Sequence, residues 1–320
     1  QIINGELHAE RVPLSRIAAE IGTPVYVYSR ATLERHARVF NEALSALPKK
    51  HVAFAIKANP NLAVLRVMQR EGFGADVVSG GELARALAAG MPGQDIVFSG
   101  VGKLEREMIQ GLDAGIGQFN IESEEEGIEL AAIAAARGQR AACALRVNPD
   151  VDARTHEKIS TGKAENKFGV PIDRAAGIYA RLAALPGLDM RGVAVHIGSQ
   201  LQHLQPLEDA FIKVGALIAE LRANGQTVTH PDLGGGLGVT YKAGEVYPTP
   251  AEYGAMVARV CGGWDVTLMF EPGRVIVGNA GVLLTRAIRV KRSSNNTPFV
   301  IVDAAMNDLA RPAMYGAWHD

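Results

Sequence analysis

Residues 51–60 read HVAFAIKANP, an apolar run that ends on Lys57 and is broken by Asn59-Pro60. Such a run predicts a buried strand, where an unpaired ammonium would be costly. Lys57 therefore either reaches water or serves a chemical purpose. Strand alternation sets His51, Ala53, Ala55 and Lys57 on one face and Val52, Phe54 and Ile56 on the other. The bulky set belongs against helices, which sends Lys57 toward the opposite, enclosed side.

Working outward, the same unit recurs. Strand-like runs at 51–59, 74–79, 96–100, 118–123, 141–149, 191–199, 227–236 and 266–274 alternate with stretches of helical period, among them GGELARALAAG and KLEREMIQGLDAG. Eight βα units over ~250 residues match a (β/α)8 barrel of the TIM type, whereas an open doubly wound sheet usually has fewer strands. The expected class is thus α/β, with the barrel at 31–278 and a β-sheet domain built from the two flanks, 1–30 and 279–320.

Composition narrows the function classes. A formal net charge of −1 provides no basic field for nucleic acid or an anionic membrane surface. No apolar run reaches the ~18 residues of a spanning helix. Two cysteines, Cys143 and Cys261, make no disulfide framework and point to a reducing cytoplasm. Both fall where packing residues are expected. The histidines show no zinc-type spacing, so no metal is expected.

Applied to the other strands, the alternation sends polar residues inward at one end: Ser99, then Gln118, Asn120 and Glu122, then Arg146, His196 and Glu271. Small residues such as Ala144, Gly192 and Ala194 clear space beneath them. Barrels of this type carry their active sites at the C-terminal ends of the strands. An enclosed lysine, its pKa lowered by burial, suits Schiff-base formation with a carbonyl. Both an aldolase and a pyridoxal phosphate enzyme fit that lysine. The run DLGGGLG at 232–238 favours the second, because consecutive glycines let backbone N–H groups approach a phosphate. Glu271 adds a carboxylate of the kind that keeps a pyridine nitrogen protonated. Arg146 has a second reading, a structural ion pair with Glu122 or Glu271, and His196 alone would read as a satisfied core histidine. Glu124 to Glu126 fit the charge-favoured first turn of a helix.

Beyond these readings, FAIKANPNLAVLRVM, GADVVSGGELARALAAG, IVFSGVGK, LRVNPDVDARTHEKISTGKAENKFG, VAVHIGSQ, DLGGGLGVTY, EPGRVIVGNAG and VDAAMNDLARPAMYGAWH together resemble the diaminopimelate decarboxylase family. This family belongs to the alanine-racemase-like, fold-type III pyridoxal phosphate enzymes. The resemblance covers almost the whole chain. It implies Lys57 as the lysine bonded to the cofactor, His196 stacked on its ring, Gly234, Gly235 and Gly236 with Gly273 and Arg274 around the phosphate end, and Glu271 on the pyridine nitrogen. Asp76 and Arg146 would line the cofactor site, and Arg274, Arg311 and Tyr315 would bind the substrate. The implied reaction is decarboxylation of meso-2,6-diaminopimelate to L-lysine by a cytoplasmic homodimer with shared active sites.

The family pattern also includes a Cys-Glu-Ser motif and a later tyrosine from the C-terminal sheet domain, which complete the neighbouring subunit's site. Neither occurs in these 320 residues. The sequence is therefore expected to lack the C-terminal part of that pattern. The alternatives are another basic amino-acid decarboxylase, or a non-catalytic pyridoxal phosphate-binding or partner-binding relative.

Overall fold

A ring of parallel strands forms the centre of the structure, a computed structural model that describes residues 1–152, 162 and 167–319. Residues 153–161 and 163–166 of the 145–169 motif lie outside the described residues. The strands are β1 (Lys50–Ala55), β2 (Gly74–Val77), β3 (Ile96–Phe98), β4 (Gln118–Ile121), β5 (Ala141–Asn148), β6 (Leu188–Ala194) and β7 (Leu268–Phe270). Each pairs in parallel with the next from β1 to β6, and β7 pairs with β1. The expected strand over 227–236 contracts to Asp232, which bridges Ala194 on one side and Met269 on the other and so closes the barrel. The contraction follows from its sequence: Pro231 has no N–H to give, and three consecutive glycines favour a turn over a ladder.

Inside and outside follow the predicted phase. Val52, Phe54, Phe98, Phe119, Leu145 and Phe270 join the large core between strands and helices. Ala53, Val97 and Met269 form a separate small cluster within the ring. Cys143 and Cys261 are buried in the outer core, and burial pushes the Cys261 thiol up to about 12, so both are packing residues.

The helices that follow the strands are Leu62–Arg70, Gly80–Ala88, Glu105–Asp113, Glu124–Ala136, Ile172–Ala183, Gln205–Ala223 and Pro250–Cys261. Polar caps start several of them. Asn61, Ser79, Ser123 and Thr249 each accept a backbone N–H of the first turn. Glu124, Glu125 and Glu126 occupy the first turn of their helix, as expected from the helix dipole. Directly after β7 comes the one-turn helix Arg274–Val277, too short to cover a strand. The eighth position is covered instead by Arg30–Ala43, which precedes β1 and packs against both Leu62–Arg70 and Pro250–Cys261.

The flanks meet in antiparallel pairs. Val25–Tyr28 pairs with Gly281–Leu284, and Ala287–Arg292 pairs with Pro298–Val302. Thr23 donates its hydroxyl to Asp303 and Tyr26 donates to the Asp308 carbonyl, each at 2.5 Å. These contacts bring the segment ending in the short helix Arg311–Tyr315 to the mouth of the barrel.

The helix that fills the eighth position depends on a close approach. A Cβ at Gly254 would overlap the Ala43 carbonyl. Gly254→Ala should therefore force the helices apart and cost about 1–3 kcal/mol, a loss readable as a lowered denaturant midpoint. An unchanged midpoint would mean that this contact relaxes freely.

Candidate active site

Asn59-Pro60 ends β1 early, and Lys57 sits on the 3₁₀ turn Ile56–Ala58 that follows the strand, not on the strand itself. The turn carries the amine to the C-terminal mouth beside the end of β2. There Lys57 Nζ donates to Asp76 Oδ2 at 2.6 Å. Asp76 is fully buried, and its Oδ1 has no partner in the structure. Half of the lysine side chain is open, toward the cavity described below. The lowered pKa expected for this lysine is not what the geometry produces. Burial pulls the ammonium down, but Asp76 and Glu271 outweigh it and hold the group above the ordinary lysine range.

Beneath the lysine lies a polar floor inside the barrel. Asn120 Nδ2 reaches Asp232 Oδ2 at 2.9 Å, Ser99 Oγ at 3.1 Å and Glu271 Oε1 at 3.3 Å. Ser99 Oγ also donates to Glu271 Oε1 at 3.2 Å, and Gln118 Nε2 donates to Asn120 Oδ1 at 2.9 Å. Glu271 is pushed well above the usual carboxylate range, first by burial and then by the neighbouring Asp232 and Asp76 carboxylates. Arg146 enters the same space from β5 and pairs with Glu122 at 2.6 Å, as its second reading had it, while its guanidinium also stacks 4.8 Å from the Phe168 ring. Both charges are nearly buried, so removing either partner alone would strand the other.

His196 follows β6. Its imidazole is held well below the ordinary histidine range by burial, then by Arg146 and Lys57, and is neutral. The Gly235 N–H donates to Nδ1 at 3.3 Å, which assigns the ring proton to Nε2.

The glycine turn needs its glycines. Gly234 (φ +66°) and Gly236 (φ +123°) adopt conformations that side chains disfavour. A Cβ at Gly234 would lie 2.5 Å from the Val195 carbonyl oxygen, and one at Gly236 2.7 Å from that of Gly198. A Cβ at Gly235 would overlap the Glu271 carbonyl, and one at Gly273 would lie 3.1 Å from the Cβ atoms of Ala55 and Ala58. Asp232 Oδ1 accepts the Gly234 N–H at 2.8 Å, tying the turn to the floor.

These groups line a cavity of about 1080 Å³ that extends outward to the flanks. Lys57, His196, Gly234 to Gly236, Glu271 and Gly273 surround its inner part, and Arg274, Arg311 and Tyr315 its outer part. A smaller recess of about 200 Å³ joins Arg146 to Lys57, His196 and Glu271. All the site residues expected from sequence thus come together, with Asp76 attached through Lys57. Asp232 and Tyr241 were missed. Asp232 had a signal, its position just before the glycine run, but Tyr241 lies in irregular chain where periodicity carries no information.

A family model described as "Pyridoxal-dependent decarboxylase, pyridoxal binding domain" matches residues 30–278. A diaminopimelate decarboxylase of Zymomonas mobilis is 51% identical over 99% of this chain and 76% of its own length. One from Pseudomonas aeruginosa is 52% identical with the same coverage of both chains. The chain belongs to the diaminopimelate decarboxylase family. Among solved members, the enzyme of M. jannaschii in complex with L-lysine superposes with a TM-score of 0.94 at 36% identity, covering 100% of this chain and 76% of that one. The Helicobacter pylori enzyme, also with L-lysine, gives a TM-score of 0.92 at 38% identity, covering 96% and 77%.

The site fits the pyridoxal group from which the family model takes its name. It presents a lysine above the polar floor, an orphaned buried acceptor on Asp76, a buried Glu271 whose affinity for a proton is raised, and a turn that admits no Cβ where a phosphate would approach the backbone.

Glu271 also leaves a signature on stability. A carboxyl whose folded pKa is raised stabilises fully below its unfolded value, near 4.5, and that contribution is lost as pH rises through the folded value. Glu271→Gln does not titrate, so in cofactor-free protein it should gain stability relative to the parent as pH rises from 4.5 to 8. Parallel melting-temperature curves for the two proteins would contradict this.

Proposed function

We propose that this protein removes carbon dioxide from the D-configured centre of meso-2,6-diaminopimelate to give L-lysine, the last step of lysine biosynthesis. What supports the reading, beyond family membership, is one arrangement: Lys57 at the floor of a cavity whose outer wall carries Arg274 and Arg311. Diaminopimelate differs from lysine and ornithine by a second amino-acid head, and a guanidinium can grip its carboxylate through two hydrogen bonds. A diamine-forming decarboxylase has no use for two such groups.

Each residue then has a task. Lys57 would hold the cofactor through its amine. Gly234, Gly235, Gly236 and Gly273 make room for the phosphate, with Arg274 at the same rim. Neutral His196 would cover the cofactor ring. Glu271 would lie against the pyridine nitrogen and keep it protonated, while Asp76 stays beside the lysine and Arg146 lines the inner recess. Pyridoxal phosphate, when bound, supplies a conjugated ring that takes up the electron pair left when the carboxylate departs. Arg274, Arg311 and Tyr315 hold the distal head and so fix which end of the substrate reacts.

We infer further that residues 31–278 form the cofactor-binding domain and that 1–30 with 279–320 belong to the β-domain. The enzyme works as a cytoplasmic homodimer whose subunits complete each other's sites. The exposed strand Ala287–Arg292 and its partner Pro298–Val302, with Ile288, Val290, Phe299 and Val300 largely open, are compatible with further pairing. Sedimentation of a fully active monomer would remove the homodimer.

The decisive test of the substrate is turnover of meso-diaminopimelate against ornithine and lysine, followed by carbon dioxide release. Arg311→Ala should raise KM for diaminopimelate by roughly ten- to several-hundred-fold and leave cofactor absorbance intact. If that variant handled diaminopimelate and ornithine just as the parent does, the substrate would have to be sought elsewhere in the decarboxylases.

A further inference from the structure

Two cations line the outer wall of the cavity, and one aromatic ring lies against both. Arg274 Nη1 donates to the Tyr241 hydroxyl at 2.9 Å, with its guanidinium carbon 5.9 Å from the ring centroid. The Arg311 guanidinium carbon lies 4.8 Å from the same centroid. His319 meets the ring edge-on at 5.5 Å, and its Nε2 accepts from Arg311 Nη1 at 3.0 Å. Burial, then Arg311 and Arg274, lower the affinity of His319 for a proton, which suits it to accept.

Left to themselves, two like charges at a cavity rim would splay into water. An aromatic face attracts each of them, and the phenol oxygen fixes the orientation of one. Tyr241 is itself held in place before any ligand arrives. Two residues earlier, the Val239 N–H donates to Gln200 Oε1 at 3.2 Å and the Val239 carbonyl accepts from Gln200 Nε2 at 2.6 Å. The Thr240 carbonyl accepts from Asn279 at 3.3 Å, and Arg274 is further anchored by a donated bond to Ser199 Oγ at 3.2 Å. A clamp set in advance loses less freedom on binding than one assembled by the ligand.

We propose that Tyr241 is the positioning residue that makes the site selective for substrates with a distal carboxylate, by holding Arg274 and Arg311 on one ring as a preformed clamp. This rests on the decarboxylase reading for the identity of the substrate, and on the local geometry for the clamp. Tyr241 lines the cavity at its outer part and acts through the two arginines, not on the reacting bonds.

The test compares Tyr241→Phe, which keeps the ring and loses the hydroxyl, with Tyr241→Ala, which loses both, in enzyme loaded with pyridoxal phosphate. Calorimetry measures binding of L-lysine, which keeps the distal carboxylate, and of 1,5-diaminopentane, which lacks it. L-lysine affinity should fall roughly 3- to 10-fold in the Phe variant and roughly 10- to 100-fold in the Ala variant, whereas diaminopentane binding and cofactor absorbance stay as in the parent. KM for diaminopimelate should rise by similar factors, with kcat moving less. Equal losses for both ligands, lost cofactor, or unchanged L-lysine binding in Tyr241→Ala would overturn the proposal. A parent that binds L-lysine in this Tyr241-dependent way yet releases no carbon dioxide from diaminopimelate would sink the reaction and leave the clamp standing.

Discussion

The barrel is closed, and its chemistry assembled, through the backbone and side chain of Asp232. Its N–H and carbonyl pair with Val193 and Val195 on one side, while its neighbours Pro231 and Leu233 pair with Met269 on the other. Its carboxylate meanwhile accepts from Gly234 on the glycine turn and from Asn120 on the floor. The same residue that completes the ring therefore sets the height of the turn above Glu271. The Glu271 N–H in turn donates to the Gly234 carbonyl at 2.8 Å, so turn and acid are fixed to each other twice over. Rigid elements of this kind hold side chains more precisely than free loops do.

Closing the barrel with a carboxylate has an electrostatic consequence. Asp76 and Glu271 act on Lys57, Asp232 acts on Glu271, and Glu122 pairs with Arg146. Burial, then the neighbouring Asp232 and Asp76 carboxylates, raise the affinity of Glu271 for a proton. Asp76 has its ion pair to Lys57, and Asp232 accepts from the Gly234 N–H and the Asn120 amide.

Much of this could be read from the chain. Alternation along HVAFAIK and the later strands placed Lys57, Arg146, His196 and Glu271 inside because the barrel interior tolerates only small or mutually satisfied polar residues, while bulky ones must meet the helices. Strand ends were less legible. Lys57 lies on a turn and Arg274 on a short helix, since Asn59-Pro60 and Pro272-Gly273 stop the strands before those residues. The strand expected over 227–236 shrinks to a single bridge because Pro231 and the glycines permit extension without supporting a ladder. The sign of the lysine's pKa shift was misjudged for a different reason: burial is visible in a periodic pattern, but the carboxylate of a neighbouring strand, nineteen residues away, at 2.6 Å is not. Tyr241 was invisible for the same reason, as its meaning comes from two arginines distant in sequence.

The account turns on Lys57 as the residue that carries the cofactor. Lys103, whose side chain is buried near the strand ends, is spoken for by the carbonyls of Gly100 and Asn120 and by Glu126, at 2.7–2.8 Å, and Lys167 is exposed, 5.3 Å from the Phe168 ring. Borohydride reduction of the protein saturated with pyridoxal phosphate, followed by digestion and mass mapping, should place the label on the peptide containing Lys57. A label on Lys103 or Lys167 instead, with Lys57 unmodified, would contradict the central claim.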